Sequence, residues 1–405
     1  MKILLCHNHY QHPGGEDQTF DDEGLLLESR GHQVTRFTLH NDDIEGMNRW
    51  ELARKTLRNN ESYAELQQLI RSERPQVMHC TNTFSLISPA AYYAAHDENV
   101  PVVQSLHNYR MFCANSLFLR NGRICESCLG KRIAWPAIVH GCYRGSRVAT
   151  AGVAAMLGIH HVMKTWHQMI QLFCTPSEFA RGKFIEGGMD AERIVVKPNF
   201  VFEDWGQGAG SDAYFVFVGR LSHEKGVEIL LDAWRQLNRN ISLKIVGDGP
   251  LADQVARAAQ DDARIEWLGR RSTDEVSDVI GDAYGVLLPS ICYETFGRSV
   301  IEAYCKGTPV IASNQGAMAE LVQHERTGLL VDAGNAAQLV SATVRLFDET
   351  ELRQDMRRAA RDEYERNYTA DQNHQMLMEI YQRACDGTAE TEPYAAPQPV
   401  VCAEP

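Results

Sequence analysis

Residues 284–313 read YGVLLPSICYETFGRSVIEAYCKGTPVIAS. Tyr284–Leu288 is a short apolar run of strand type, bounded by a Pro-Ser turn. Past Gly297 the pattern turns helical, and Pro309–Ala312 is apolar and short again. A strand, a helix and a strand in this span make the two strands parallel, with the helix covering one face of the sheet. Glu294 falls in the loop after the first strand. Gly297 and Arg298 open the helix, and Glu302 lies one to two turns into it. The free N–H groups of a helix start can hold a phosphate. A carboxylate before it and another within it can each accept hydrogen bonds from sugar hydroxyls.

The same alternation extends outward on both sides. Upstream, Tyr214–Val218 reads as a strand, Gly226–Asn238 as a helix, and Leu243–Val246 and Arg264–Leu268 as strands. Downstream, one helical run is expected from Asn335 to Ala384. VFEDWGQGAGSD (201–212) is Gly-rich and aperiodic, which suits an interdomain linker. Before it lies a second strand–helix series. Lys2–Cys6, a strand in GHQVTRF, Gln76–Cys80, Val100–Leu106, Leu172–Thr175 and Arg193–Lys197 are its strands. Helices are expected to Arg30, around Glu61–Arg71 and Pro89–Ala95, over Ala151–Ile170, and from Ser177. The reading is an α/β chain of two Rossmann-like doubly wound domains facing a cleft. An N-terminal domain (1–200) holds an irregular cysteine-containing loop at 107–150. A donor-type domain spans 213–366, and a C-terminal helix (367–386) returns to the first domain. The Pro- and Ala-rich tail 387–405 has no core pattern and is expected to be disordered.

The bulk numbers agree. The chain has 405 residues, 44% of them apolar, enough for two cores of ordinary size. With 53 acids against 40 bases the net charge is −13, opposite in sign to a nucleic-acid footprint, and no nucleic-acid partner is expected. The start, MKILLCHNHY, turns polar after six residues and does not read as a signal peptide. No stretch reaches the roughly 18 apolar residues of a membrane span. A cytoplasmic protein with its 11 cysteines reduced is expected.

Ligands of such sheets bind at the carboxyl ends of the strands, so the loops there carry the chemistry. VGRLSHEKG (218–226) places Gly219, Arg220 and Lys225 in one such loop. Two cations beside a helix start form a diphosphate clamp, although a surface loop with ordinary charges reads the same. VGDGP (246–250), with Gly247, is a tight turn after the next strand, and a plain turn is as good a reading. Gly14 and Gly15 follow the first strand and would let a ligand approach the backbone. His107 follows the strand Val100–Leu106 and points at the cleft, or is a buried structural histidine.

In this order the motifs resemble family 4 of the retaining glycosyltransferases, which have the GT-B fold. The donor motif of that family is Glu, seven residues, Glu, and here it reads E-TFGRSVI-E. The flanking PS, GRL…KG, GDGP, the LG at 268–269 and TPVIAS…G at 308–316 follow the family order, so the resemblance covers nearly the whole chain. It implies that Arg220 and Lys225 bind the diphosphate of a nucleotide sugar and stabilise the leaving group. Glu294 would contact hydroxyls of the transferred sugar, and Glu302 the ribose. The amides of Phe296 and Gly297 would assist, with Thr295 and Arg298 as looser participants. His107 would stand near the donor sugar. Family members often have His-Asp at that point, where this chain has His107-Asn108, which leaves the role of Asn108 open.

No divalent metal is expected in catalysis. The co-substrate implied is an NDP-sugar, and the acceptor a saccharide or a lipid-linked one, in polysaccharide or glycolipid synthesis. Two alternatives are a nucleotide-sugar epimerase of the same fold and a non-catalytic nucleotide-sugar-binding protein. The second would require lost donor residues, and all four are present.

Cys113, Cys125, Cys128 and Cys142 lie within the irregular loop, and Cys125-x2-Cys128 has zinc-knuckle spacing. Structural zinc, free thiols and a disulfide are all compatible with it. Lys131, Arg132, Arg144 and Arg147, with the apolar helix that follows, could meet anionic lipid at the inner face of a membrane, or form a solvated surface.

Overall fold

The computed structural model describes residues 1–12 and 14–387. The tail beyond Gly387, expected to be disordered, lies outside the described residues.

The first half contributes β1 (Lys2–His9), β2 (Gln33–His40), β3 (Val77–Asn82), β4 (Val102–Ser105), a two-stranded ribbon of β5 (Leu119–Arg120) and β6 (Arg123–Ile124), then β7 (Leu172–Thr175) and β8 (Ile194–Val196). The second half contributes β9 (Tyr214–Val218), β10 (Ser242–Val246), β11 (Ile265–Gly269), β12 (Gly285–Leu288), β13 (Val310–Ser313) and β14 (Gly328–Val331). One sheet has the order β2-β1-β3-β4-β7-β8 and the other β11-β10-β9-β12-β13-β14. Every neighbouring pair in both is parallel. The central strands are buried on both faces, as a sheet covered by helices on both sides requires. The chain is therefore two Rossmann-like layers, each with its own apolar core.

Strand boundaries differ from the sequence reading by a few residues. Two helical regions need correction. The expected helix Ala151–Ile170 is two helices, Arg147–Val162 and Thr165–Gln168. Lys164 adopts a left-handed conformation (φ 56°) between them, which no helix interior accommodates. The C-terminal run is three helices, Ala336–Asp348, Thr350–Asn367 and Ala370–Asp386. Thr369 caps the last through its side chain and Gln372. Helices Arg49–Leu57 and Thr273–Asp282 and strand β14 carry no element in the sequence reading.

The helix Ala370–Asp386 packs on β3, β4 and the first helix, Gly15–Ser29. Leu377, Ile380 and Tyr381 join Ile3, Leu5, Phe20 and Leu26 in one core cluster. Beneath them lies a buried polar knot. Lys197 Nζ donates to Glu23 Oε1 at 2.6 Å, both side chains being almost wholly buried. His79 bridges Tyr381 and Ser105 through its two ring nitrogens, each at 2.8 Å. The last helix thus belongs physically to the first sheet. The chain crosses between sheets twice, and the crossings touch where Val201 N–H donates to Tyr368 O at 3.2 Å.

Candidate active site

In the second sheet the chain order reverses between β9 and β12. A crevice opens at such a switch point, outside the carboxyl ends of the strands. The loop after β9 carries Gly219, Arg220 and Lys225, and the loop after β12 carries Ser290, Glu294 and Thr295. Lys225 Nζ lies 2.6 Å from Glu294 Oε1, and Ser290 Oγ donates to the same oxygen at 2.8 Å. Burial works against the Lys225 ammonium, but the Glu294 carboxylate outweighs it and raises the lysine above its ordinary value. Arg220 is exposed and has no side-chain hydrogen bond or ion pair among the described residues.

Glycine is required where these loops pack. At Gly247 (φ 136°) a Cβ would stand 1.9 Å from Gly219 O, so the loops after β9 and β10 touch backbone to backbone. Gly297 (φ 145°) caps the helix Arg298–Cys305, and a Cβ there would meet Met318 at 2.2 Å. Phe296 is buried, in edge contact with Tyr368, so only its backbone is placed to face a ligand. Arg298 bonds Glu302 at 3.0 Å and reaches across the cleft to Asp22 on the first helix of the other sheet. Those two carboxylates outweigh the burial of its guanidinium and raise it.

The opposite wall begins two residues past β4. The carbonyl of His107 accepts from Thr295 Oγ1 at 2.8 Å, and Thr295 O accepts from Ser177 Oγ at 2.7 Å. Glu320 adds a third tie, accepting the amides of Glu178 and Phe179 at the start of helix Glu178–Glu186. The ring Nε2 of His107 is buried without a hydrogen-bond partner. Burial, reinforced by Lys197 and opposed by Glu23, pushes His107 down to about 3. It is a neutral imidazole at physiological pH, able to exchange hydrogen bonds but not to add charge.

Asn108 is explained by its neighbours. Its Nδ2 donates to Glu16 Oε2 at 3.2 Å and to Tyr10 Oη at 3.3 Å, while Tyr10 donates to Glu16 at 2.7 Å. Burial raises Glu16. An aspartate in place of Asn108 would set two carboxylates against each other, whereas the amide supplies a donor. Gly14 and Gly15 are exposed at the start of the first helix, and their link to His107 runs through Glu16 and Asn108.

A cavity of about 610 Å³ lies in the first half, between the ends of β3 and β4 and the helix Arg147–Val162. His107, Asn108 and Arg110 line one part of it, and Phe84, Met156 and Trp166 another. Cys113, Cys125, Cys128 and Cys142 all line a second, smaller cavity. Among the described residues, His7, His9 and Asp17 are a group whose potential metal-binding atoms lie within 4.8 Å of one another. Asp17 there also accepts the amides of Tyr10 and Gly14, the work of a helix cap.

Lys225, Glu294, Thr295, Gly297, Glu302 and His107 are thus part of one cross-cleft network or adjoin it. Sequence reasoning missed Asp22, Ser290, Glu16, Glu320 and the large cavity. Glu16 and Ser290 adjoin quoted motifs and were within reach. Asp22 and Glu320 act across the cleft and leave no local signal.

Two family models match the chain. The one described as "Glycosyl transferase 4-like domain" covers residues 14–199, and the one described as "Glycosyl transferases group 1" covers residues 203–363. An uncharacterised glycosyltransferase of Methanocaldococcus jannaschii is 31% identical over 176 residues, 42% of this chain and 49% of that protein. The D-inositol 3-phosphate glycosyltransferase of Pseudarthrobacter chlorophenolicus is 34% identical over 158 residues, 36% of this chain and 37% of that protein. The chain therefore spans about half or less of the length of these curated relatives. Among solved structures, Anabaena HepE in complex with UDP-glucose is 18% identical, with TM-score 0.67 over 94% of this chain and 99% of that one. Sucrose-phosphate synthase from Thermosynechococcus elongatus is 16% identical, with TM-score 0.71 over 96% of this chain and 100% of that one. With one family model on each sheet and this fold in common, the chain belongs to the family 4-type glycosyltransferases of GT-B fold.

Proposed function

We propose that the chain moves a sugar from a nucleotide diphosphate donor to an acceptor hydroxyl, with retention at the anomeric carbon. The observation that carries this is the meeting of Lys225 and Glu294 at the switch point of the second sheet. A donor diphosphate takes Lys225 and Arg220 as its counter-charges, which frees Glu294 for hydroxyls of the sugar. The bond from C1 to the phosphate oxygen breaks and the acceptor oxygen bonds to C1. The acceptor proton leaves to the departing phosphate. The cations stabilise the charge that develops on that phosphate, and no metal is needed for the step. Neutral His107 orients a sugar hydroxyl through the free Nε2. HepE was solved with UDP-glucose, which supports a uridine nucleotide sugar as the first donor to try.

The acceptor side is the cavity behind His107. Its mixed lining suits a saccharide with an apolar carrier, as in the synthesis of a surface polysaccharide or glycolipid. Trp135, Val139, Val148 and Val162 are exposed on two helices packed together, with Arg147 and Lys164 beside them. An apolar face with a basic rim supports peripheral contact with anionic lipid on the cytoplasmic side. No helix among the described residues is long and apolar enough to cross a membrane.

The direct test incubates the pure protein with a panel of nucleotide sugars. It reads the melting shift, slow donor hydrolysis and, with lipid-linked and free saccharides added, the anomeric configuration of product. One donor should raise the melting temperature and be consumed. If none shifts melting and none is hydrolysed, the reading fails.

A further inference from the structure

The stretch between β4 and the helix Arg147–Val162 is long but poor in regular structure. It holds only the two-residue strands β5 and β6 and the six-residue helix Trp135–His140. Tyr109 and Phe118 anchor its start in the main core, but the rest rests on a thin cluster of Ala114, Ala134, Ala137 and Ala154, with Cys128, Val153, Met156 and Leu157. So little apolar area holds the later part weakly, and small units of this kind use a covalent or metal staple. Yet the segment begins with Asn108 and Arg110 at the cleft and must present them accurately.

Four cysteines converge beneath it. Cys113 precedes the ribbon, Cys125 follows β6 directly, Cys128 comes three residues later, and Cys142 follows the short helix. All four line a single cavity of about 320 Å³, and all are free thiols. Cys125 and Cys128 share one knuckle while Cys113 and Cys142 come from separate turns, so one ion would tie together three stretches of chain. We propose that these four residues bind one zinc ion as a tetrathiolate that pins this wall of the cleft.

Burial raises the Cys113, Cys128 and Cys142 thiols, so thiolates there require a bound cation as well as the backbone amides nearby. Backbone amides of Asn115, Ser116, Leu117 and Phe118 face the Cys113 sulfur, that of Ser127 faces Cys125, and that of Ala137 faces Cys128. Such N–H groups are the outer partners that orient and stabilise metal-bound sulfur. Arg120 and His140 line the same cavity, and the guanidinium offsets the net charge of −2 that four thiolates and one Zn²⁺ carry. Binding breaks four S–H bonds, releases four protons to water and forms four Zn–S bonds of about 2.3 Å. The Cys113 thiol now donates to Asn115 at 2.8 Å and the Cys125 thiol to Ser127 at 3.4 Å, both within their own turns. The four sulfurs do not form a group with ligand atoms within 4.8 Å of one another, so binding requires these side chains to close on the ion.

The experiment uses the full chain, purified without a metal-affinity tag, and measures zinc directly, so its outcome is separate from transferase activity. About one zinc per chain is expected. Replacement by Co²⁺ should give the strong thiolate-to-cobalt absorption of a tetrahedral sulfur site. Cys125→Ser and Cys142→Ser should each lower bound zinc severalfold. Cys385→Ser, exposed on the last helix, and His9→Ala, in the histidine–aspartate group, should keep it. Wild-type zinc far below one per chain with four reactive thiols, or a disulfide between any two of these cysteines, overturns the proposal. So does zinc lost in His9→Ala but retained in Cys125→Ser. Should the cysteine variants fail to fold, the zinc content and cobalt spectrum of the wild type decide alone.

Discussion

At the switch point of the second sheet, Lys225 and Glu294 come from two loops whose strands lie side by side, and an ion pair of 2.6 Å joins them. On the first sheet the facing wall is an imidazole without charge, a half-buried carboxylate held by an amide and a phenol, and a cavity lined by residues from Thr56 to Phe173. One wall is made of fixed charge in short motifs. The other is made of shape and of side-chain hydrogen bonds drawn from distant parts of the chain, with the His107 Nε2 left free. A diphosphate is the same in every donor and can be met by a few charges, whereas an acceptor must be met by a shaped surface.

If the contrast is real, the two walls should respond differently to change. Lys225→Ala should cost the most, about 10³-fold in kcat with the melting temperature little altered, because it removes a cation acting on developing charge. Steady-state assay beside a melting curve checks both halves of that statement. Acid should act first on the other half. Burial holds His79 at about 4 and His107 at about 3, below their ordinary 6.5. As pH falls through about 6.5 the unfolded chain takes up these protons and the native chain does not, so stability falls with pH. The loss should reach about 2 kcal/mol by about pH 5 for His79 alone. Hydrogen exchange should show the N-terminal half opening first, and His79→Gln should flatten the slope.

Asn108→Asp exchanges a donor to Glu16 for a second carboxylate and should destabilise by about 1–2 kcal/mol at neutral pH, less in acid. A melting series with pH would show it, and equal loss at all pH values would refute the assignment. Met156→Trp narrows the large cavity and should raise the acceptor KM about tenfold while leaving donor hydrolysis unchanged, a difference of about 1.4 kcal/mol. The smallest effect is expected from Arg239→Ala. It removes an exposed pair with Asp348, worth under about 1 kcal/mol in urea titration, and should not touch activity.

The same contrast explains what could be read from the chain. β9, the loop 218–226 and the motif from Glu294 to Glu302 are contiguous, so residue spacing alone places them. The cavity is not legible, because its lining residues become neighbours only once β3, β4 and four helices are packed. The sequence reads as one helix over Ala151–Ile170 because its apolar residues continue past Lys164, where the backbone turns left-handed. The strand β14 is four residues long and too short to show a period. Asp22 gives no sign in its own helix that its partner, Arg298, lies across the cleft.

The two strands of chain that pass between the sheets, bonded to each other at Val201 and Tyr368, have a mechanical consequence. A body tethered by one cord can swivel and twist in any direction. Held by two cords laid side by side, it retains one easy motion, a swing about the line they share. The ties from Thr295 to His107 and from Arg298 to Asp22 stand on the rim that such a swing opens and shuts. For the proposed transfer, loading of donor and release of nucleotide would follow a single arc, and the walls would return to the same register after each turnover.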